Sequence, residues 1–206
     1  VKIVVCGAAG RTGREIVRVA LGRGHEVTAL VRDARGALAP SDRLRVVYGD
    51  VLVRGTLPPA IEGAQAVLWS VGSGSVQDES LQGPGIANLA WAMRGARVRR
   101  LVALSYSGVG DQDGDPWYRR LFGRSRKTAM ATDARHMEIT VRQSGLDWTI
   151  VRVEKLVDEP PRGRYRLGPG YSLPDGTGMA RDDVAAAMLD QLESDLNVGH
   201  AVAVSY

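Results

Sequence analysis

Short apolar runs rich in β-branched residues alternate with stretches of helical spacing from one end of the chain to the other. Residues 1–6 (VKIVVC) read as a buried strand. Ile16, Val17, Ala20 and Leu21 then share one face of a 3.6-residue period, predicting a helix over 10–23 that Gly22 and Gly24 end. Further strands are expected at 26–31, 44–48, 65–70, 99–104, 147–152 and 200–205. A short helix near 58–62 and longer ones at 81–94, 128–143 and 182–192 fall between them. Residues 106–127, rich in Gly, Asp and Arg, read as a mobile segment over a site. Residues 153–180 gain Pro and Gly after Pro160 and read as a second substrate-side loop, with a short strand around Tyr165. Repeated strand–helix units predict a parallel sheet covered on both faces. No repeat or linker interrupts them, so one domain over 1–206 is expected.

The first turn carries the most specific chemistry. Gly7-Ala8-Ala9-Gly10-Arg11-Thr12-Gly13 follows a strand directly and opens a helix. Gly7 allows a sharp turn, Gly10 lets backbone approach a diphosphate, and Gly13 lets helix pack closely on sheet. Free N–H groups of Ala9, Arg11 and Thr12 at the helix start suit an anion. The pattern predicts a Rossmann-type, doubly wound α/β sheet that binds a dinucleotide. After the second strand, Arg32, with Arg35 nearby, offers guanidinium groups to a ribose 2′-phosphate, which favours NADP(H). Asp33 beside them keeps NAD open, because an acidic residue there would take the 2′-hydroxyl. Asp50 and Val51 after the third strand, and Ser70, Val71 and Gly72 after the fourth, stand on the edge where the ligand belongs. Asp50 has two readings, an acceptor for the adenine amine or a cap for its own turn.

Composition narrows the picture further. Of 206 residues, 44% are hydrophobic and 24% charged, which suits a globular core, and the apolar runs are strand-sized, too short to span a bilayer. No charged segment precedes an apolar one at the start, so no secretory leader is expected. Cys6 stands alone in the first apolar run and forms no internal disulfide, which points to the reducing cytoplasm. The net charge of +4 comes from arginines spread along the chain. The one dense cluster, Arg119 to Lys127, lacks interleaved stacking aromatics, so no nucleic-acid partner is expected. Asp133, His136 and Glu138 are close in sequence, but helical spacing turns His136 and Glu138 away from each other, and no metal site is read there. Trp91 reads as core, while Trp117 and Tyr118 are candidates to cover a flat substrate.

At these motifs the chain resembles the atypical short-chain dehydrogenases of NAD(P)-binding, NmrA-like character, and within them the biliverdin IXβ reductase (flavin reductase) group. The likeness runs through residues 4–13, 25–33 and 46–52, then Asn88, Ala92-Met93, Leu101-Val102-Ala103, Arg142 to Leu146 and Gly199-His200. It implies an NADPH-dependent reductase of flavin-like, tetrapyrrole-like or other conjugated molecules, with a small-molecule partner, no membrane, and a monomer or weak homodimer. Three places depart from the group: Ser105-Tyr106 replaces a Thr-Ser pair, Val153-Glu154-Lys155 replaces Pro-Pro-His, and 107–127 differs in length and content. Tyr-x-x-x-Lys is absent from the sequence. Ser105 is a candidate to orient nicotinamide or substrate, with Ser105 and Val153 both against the cofactor. Tyr106 is a candidate proton donor and Lys155 its supporting cation or an anchor for an acidic substrate. Two alternatives stay open: a redox sensor that holds NADP(H) without turnover, and a redox-neutral cyclase or isomerase.

Overall fold

The protein is described from a computed structural model, which covers residues 1–33, 38–72, 81–106, 126–169 and 178–206. Alternating inward and outward residues make β1 (Lys2–Cys6) a two-faced strand: Ile3 and Val5 enter one core, Val4 and Cys6 the other. The chain continues through α1 (Arg11–Gly22), β2 (Glu26–Val31), β3 (Leu44–Tyr48), a 3-10 turn (Arg54–Thr56), α2 (Pro58–Ile61) and β4 (Ala66–Trp69). Then come α3 (Gln82–Gly95), β5 (Arg100–Tyr106), α4 (Arg126–Gln143), β6 (Asp147–Val153) and β7 (Leu156–Val157). It closes with β8 (Arg166–Pro169), β9 (Met179–Ala180), α5 (Arg181–Glu193) and β10 (His200–Ser205).

Eight strands form one sheet in the order β3-β2-β1-β4-β5-β6-β10-β8, parallel throughout except for β8, which runs antiparallel on β10. Helices α1 and α5 cover one face through Ile16, Val17, Ala20, Val184, Met188 and Leu189. Helices α2, α3 and α4 cover the other through Ile61, Ile86, Leu89, Met93, Met137 and Val141. Successive strands are added outward from β1 on one side and then from β4 on the other, and this change of order opens a crevice at the carboxyl ends of β1 and β4. Among the described residues no helix is long and apolar enough to cross a membrane.

The predicted strands at 26–31, 44–48 and 200–205 match the structure end for end. Two strands run further than their apolar patterns suggest. β5 and β6 pair as far as Ser105↔Arg152 and Tyr106↔Val153, so Ser105 and Tyr106 belong to the strand rather than to a loop. The segment expected to be a loop over 153–180 also contains β7 and β9, a two-stranded parallel pair with Leu156 opposite Met179. α4 starts two residues before the predicted Thr128. Most of the 106–127 segment, with Trp117 and Tyr118, lies outside the described residues, as does Arg35.

A buried ion pair explains why β5 and β6 hold together to their last residues. Glu138 on α4 is 1% exposed, and its Oε1 accepts from the Ser105 hydroxyl at 2.7 Å and from Arg152 Nε at 3.0 Å. Its Oε2 accepts from Arg152 Nη2 at 2.6 Å and stands 3.0 Å from Arg142 Nη2. Burial pushes this carboxyl up, but the bonds from Arg152 and Ser105 and the two guanidinium charges outweigh it and hold it below the usual carboxylate range. Glu138→Gln takes from the buried Arg152 guanidinium the carboxylate charge that its Nε and Nη2 meet and should lower unfolding free energy by about 3–5 kcal/mol, read by urea unfolding at neutral pH. The folded carboxyl titrates below its unfolded value, so its contribution is complete above the unfolded pKa and fades as pH falls through the folded one. The gap between wild type and variant should therefore narrow in acid; a gap independent of pH would contradict this account.

Candidate cofactor site

The glycine turn is shaped by contacts that leave no room for side chains. Gly7 has φ +81°, and a Cβ there would stand 2.8 Å from the Ser70 carbonyl oxygen. At Gly13 a Cβ would come within 2.0 Å of the Gly7 carbonyl oxygen, so α1 presses on the end of β1. Gly10 is freer, with its would-be Cβ 3.2 Å from that same oxygen, and its N–H closes the turn on Gly7 O at 3.0 Å. Helix α1 begins after Gly10 with no side-chain cap and no acidic residue in its first turn. Its amino end therefore keeps the partial positive charge of about half a unit that an anion can meet.

Beside this turn lies a cleft of about 380 Å³. Gly7, Ala9 and Gly10 line it from the turn, Arg32 with Leu30 and Val31 from β2, Asp50, Val51 and Gly49 from the end of β3, and Ser70, Val71, Gly72 and Leu81 from beyond β4. The structure thus gathers most of the cofactor residues read from sequence around one opening. Arg11 and Thr12 stand at the start of α1, Thr12 buried and Arg11 exposed, with Gly13 behind them. Arg32 is exposed at the cleft wall. Asp50 fills the capping role: its Oδ1 accepts from Leu52 N–H at 2.8 Å while the residue still lines the cleft. A diphosphate fits here because Gly10, at the uncapped amino end of α1, lines the cleft and the first turn of that helix holds no acidic side chain to repel it.

The residues assigned to chemistry divide between the two faces of the sheet. Ser105 is fully buried toward α4 with its hydroxyl spent on Glu138, and Val153 is fully buried in the core under α1 and α5. Tyr106 packs against that α1/α5 core. Burial raises its phenol above the usual range, while Arg181 and Arg11 pull it back down. Arg11, expected from the sequence only as a cofactor contact, and Arg181, for which nothing was expected, act on the phenol where Lys155 was expected; Lys155 and Glu154 are exposed, and the Lys155 carbonyl accepts from Met179 N–H at 2.8 Å. Cys6, fully buried, has its thiol pushed up to about 12 by desolvation and stays protonated. Trp91 is not core: it is 43% exposed, with the Arg54 guanidinium 5.2 Å from its ring centroid. Asp133, read only as a discounted metal ligand, is buried and takes the Gln82 N–H at the start of α3 with both oxygens, at 2.9 and 3.1 Å. No sequence signal marked that contact, because the two residues are far apart in the chain.

A glycine-built turn on an uncapped helix, at the switch point of a 3-2-1-4-5-6 sheet, defines a dinucleotide-binding fold of the oxidoreductase type. The family of NAD(P)H-binding proteins matches residues 7–195, and the chain belongs to that family. It is 31% identical to an uncharacterized chloroplastic protein of Arabidopsis thaliana over 98% of this chain and 76% of that protein. It is 29% identical to 3-diazoavenalumate denitrifying reductase of Streptomyces over 88% of this chain and 59% of that enzyme. Among solved structures, a short-chain dehydrogenase/reductase of Veillonella parvula in complex with NADP superposes with a TM-score of 0.81 at 22% identity, covering 100% of this chain and 94% of the other. The oxidoreductase YlbE of Lactococcus lactis gives 0.82 at 18% identity, covering 99% and 90%. At such identities these structures establish the fold. The relatives agree with the atypical short-chain dehydrogenase resemblance without singling out its biliverdin reductase branch.

The two inner glycines should respond differently to alanine. Gly13→Ala forces a methyl group onto the Gly7 carbonyl and should lower the melting temperature sharply. Gly10→Ala needs only a few tenths of an ångström of adjustment and should fold near normally. Thermal melts of both, with and without NADPH, check this; equal destabilisation would contradict the close-packing role given to Gly13.

Proposed function

We propose that the chain is an NADPH-dependent reductase of a flavin-like, tetrapyrrole-like or other conjugated small molecule. The observation that carries this reading is Tyr106: a phenol kept protonated by burial, at the same sheet edge as the glycine cradle, with two arginines whose charge favours its conjugate base. Bound nicotinamide supplies the hydride. The chain has to hold substrate and cofactor together, keep water away and release one proton from Tyr106 Oη. Orientation alone is worth on the order of 7–11 kcal/mol. The glycine turn receives the diphosphate, and the base lies against Asp50 and Val51. Arg32 at the cleft wall meets the 2′-phosphate, which is why NADPH is preferred over NADH. The reductase named among the relatives supports the same direction.

A sensing or redox-neutral role is the second reading, favoured by the Ser105 hydroxyl being bound to Glu138. Several relatives matched over part of their length are photosystem II assembly factors. Purified protein mixed with NADPH and then FMN or a quinone panel, followed at the nicotinamide absorbance band, separates the two. Oxidation of NADPH supports the reductase, and tight binding without turnover overturns it.

Arg32→Ala should weaken NADPH by roughly 10- to 100-fold, the loss of a charge-assisted contact worth about 1.5–3 kcal/mol, and leave NADH nearly unchanged. Fluorescence titration with both nucleotides measures this. Equal losses for the two would remove the preference for the 2′-phosphate.

A further inference from the structure

Trp91, exposed on α3, is the outer end of a chain of contacts that runs inward to the cofactor cleft. The Arg54 guanidinium lies 5.2 Å from its ring centroid, and Arg54 Nε donates to Asn88 Oδ1 at 3.2 Å. A guanidinium can only donate, so the Asn88 amide has one orientation, with Nδ2 donating to the Val51 carbonyl at 3.0 Å. That carbonyl shares a planar peptide with the Leu52 N–H, which points the opposite way and donates to Asp50 Oδ1 at 2.8 Å. Asn88 and Asp50 thus grip one peptide unit from its two sides. Helix α3 comes close enough for this because the residue three before Asn88 is Gly85, where a Cβ would stand 3.1 Å from Val51 Cγ2.

The backbone of Asp50 is held as well. Its N–H donates to Thr56 Oγ1 at 3.0 Å, and its carbonyl accepts from Val53 N–H at 2.8 Å. Only the side-chain torsions are left, and the Leu52 N–H settles those through Oδ1. Oδ2 then has no partner among the described residues, while Asp50 lines the cleft. We propose that Asn88 is a positioning residue for nucleotide selectivity. By holding the Val51–Leu52 peptide it fixes the Asp50 carboxylate, so that Oδ2 accepts from the exocyclic 6-amino group of a purine and turns away a 6-oxo group. The inference rests on reading the base as lying against Asp50 and Val51. An anionic oxygen that meets an amine N–H gains a charge-assisted hydrogen bond; one that meets a carbonyl oxygen faces like charge and gains none. Arg54, steadied on Trp91, keeps the Asn88 amide from turning over.

Two nucleotides that differ in this one group read the proposal directly: NADPH and its hypoxanthine counterpart, with the same phosphates and the same nicotinamide. In fluorescence titrations the wild type should bind NADPH about tenfold or more tightly than the 6-oxo analogue. Asn88→Asp keeps the shape and the Arg54 bond, but a carboxylate cannot donate to the Val51 carbonyl. There the preference should shrink to about threefold or less, chiefly through weaker binding of NADPH. An unmoved preference, or equal weakening of both nucleotides, overturns the proposal, because a merely structural role changes the two alike. Should Asn88→Asp fail to fold, Arg54→Ala decides: Arg54 is exposed, and its loss frees the Asn88 amide, so the preference should again fall. In that variant an unchanged preference is the overturning result. The parent reading is tested apart from this, by Asp50→Ala: a preference that survives there removes Asp50 from the base, whatever the Asn88 variant does.

Discussion

The carbonyl oxygen of Gly7 occupies the space that a side chain at position 13 would need, and the rest of the binding site follows from that contact. Because α1 can lie this close to β1, its uncapped amino end points into the crevice at the switch point. The Ser70 carbonyl closes on Gly7 from the other side. The cradle is thus made of backbone, whose amides need no reorganisation when an anion arrives. Side chains line the rest of the cleft, Arg32, Asp50 and Val51 among them.

Two kinds of electrostatic arrangement stabilise the two faces. Under α4, Glu138 and Arg152 form a dry pair that fastens the ends of β5 and β6. Over α1 and α5, Asp158 bridges one exposed and one buried arginine in contact with water. Loss of a partner is costly in the first case because both groups are almost fully buried, 1% and 3% exposed, and water cannot take its place. In the second, solvent can take over part of the work, so the arrangement suits a place where ligands come and go.

Much of this was legible in the chain before any coordinates. The parallel sheet and the glycine turn follow from periodicity and spacing, since buried parallel strands must be apolar and a tight strand-to-helix turn must be glycine. Arg32, Asp50 and Ser70 could be placed on the ligand edge because they follow strands directly. The pattern failed where long-range charge decides. Ser105 and Tyr106 read as loop residues because polarity rises there, yet Glu138, reaching from a helix 33 residues later, keeps them in the strand. Asp158 and Arg181 carry no local signature, and the two-residue strands that unite them are too short to show a period. Trp91 looked like core by spacing, but an aromatic ring under a guanidinium can remain at the surface.

The position of β10 between β6 and β8 has a consequence for synthesis. Among the described residues β8 pairs with β10 alone in the main sheet, so residues 166–169 lack that partner until residues 200–205 have left the ribosome. At about 5–20 residues per second, that leaves the nascent β8 unpaired on the order of seconds. During that interval the exposed edge of β6 is open to any other extended segment, and the crowded polysome is where this sheet is most vulnerable to pairing with the wrong chain.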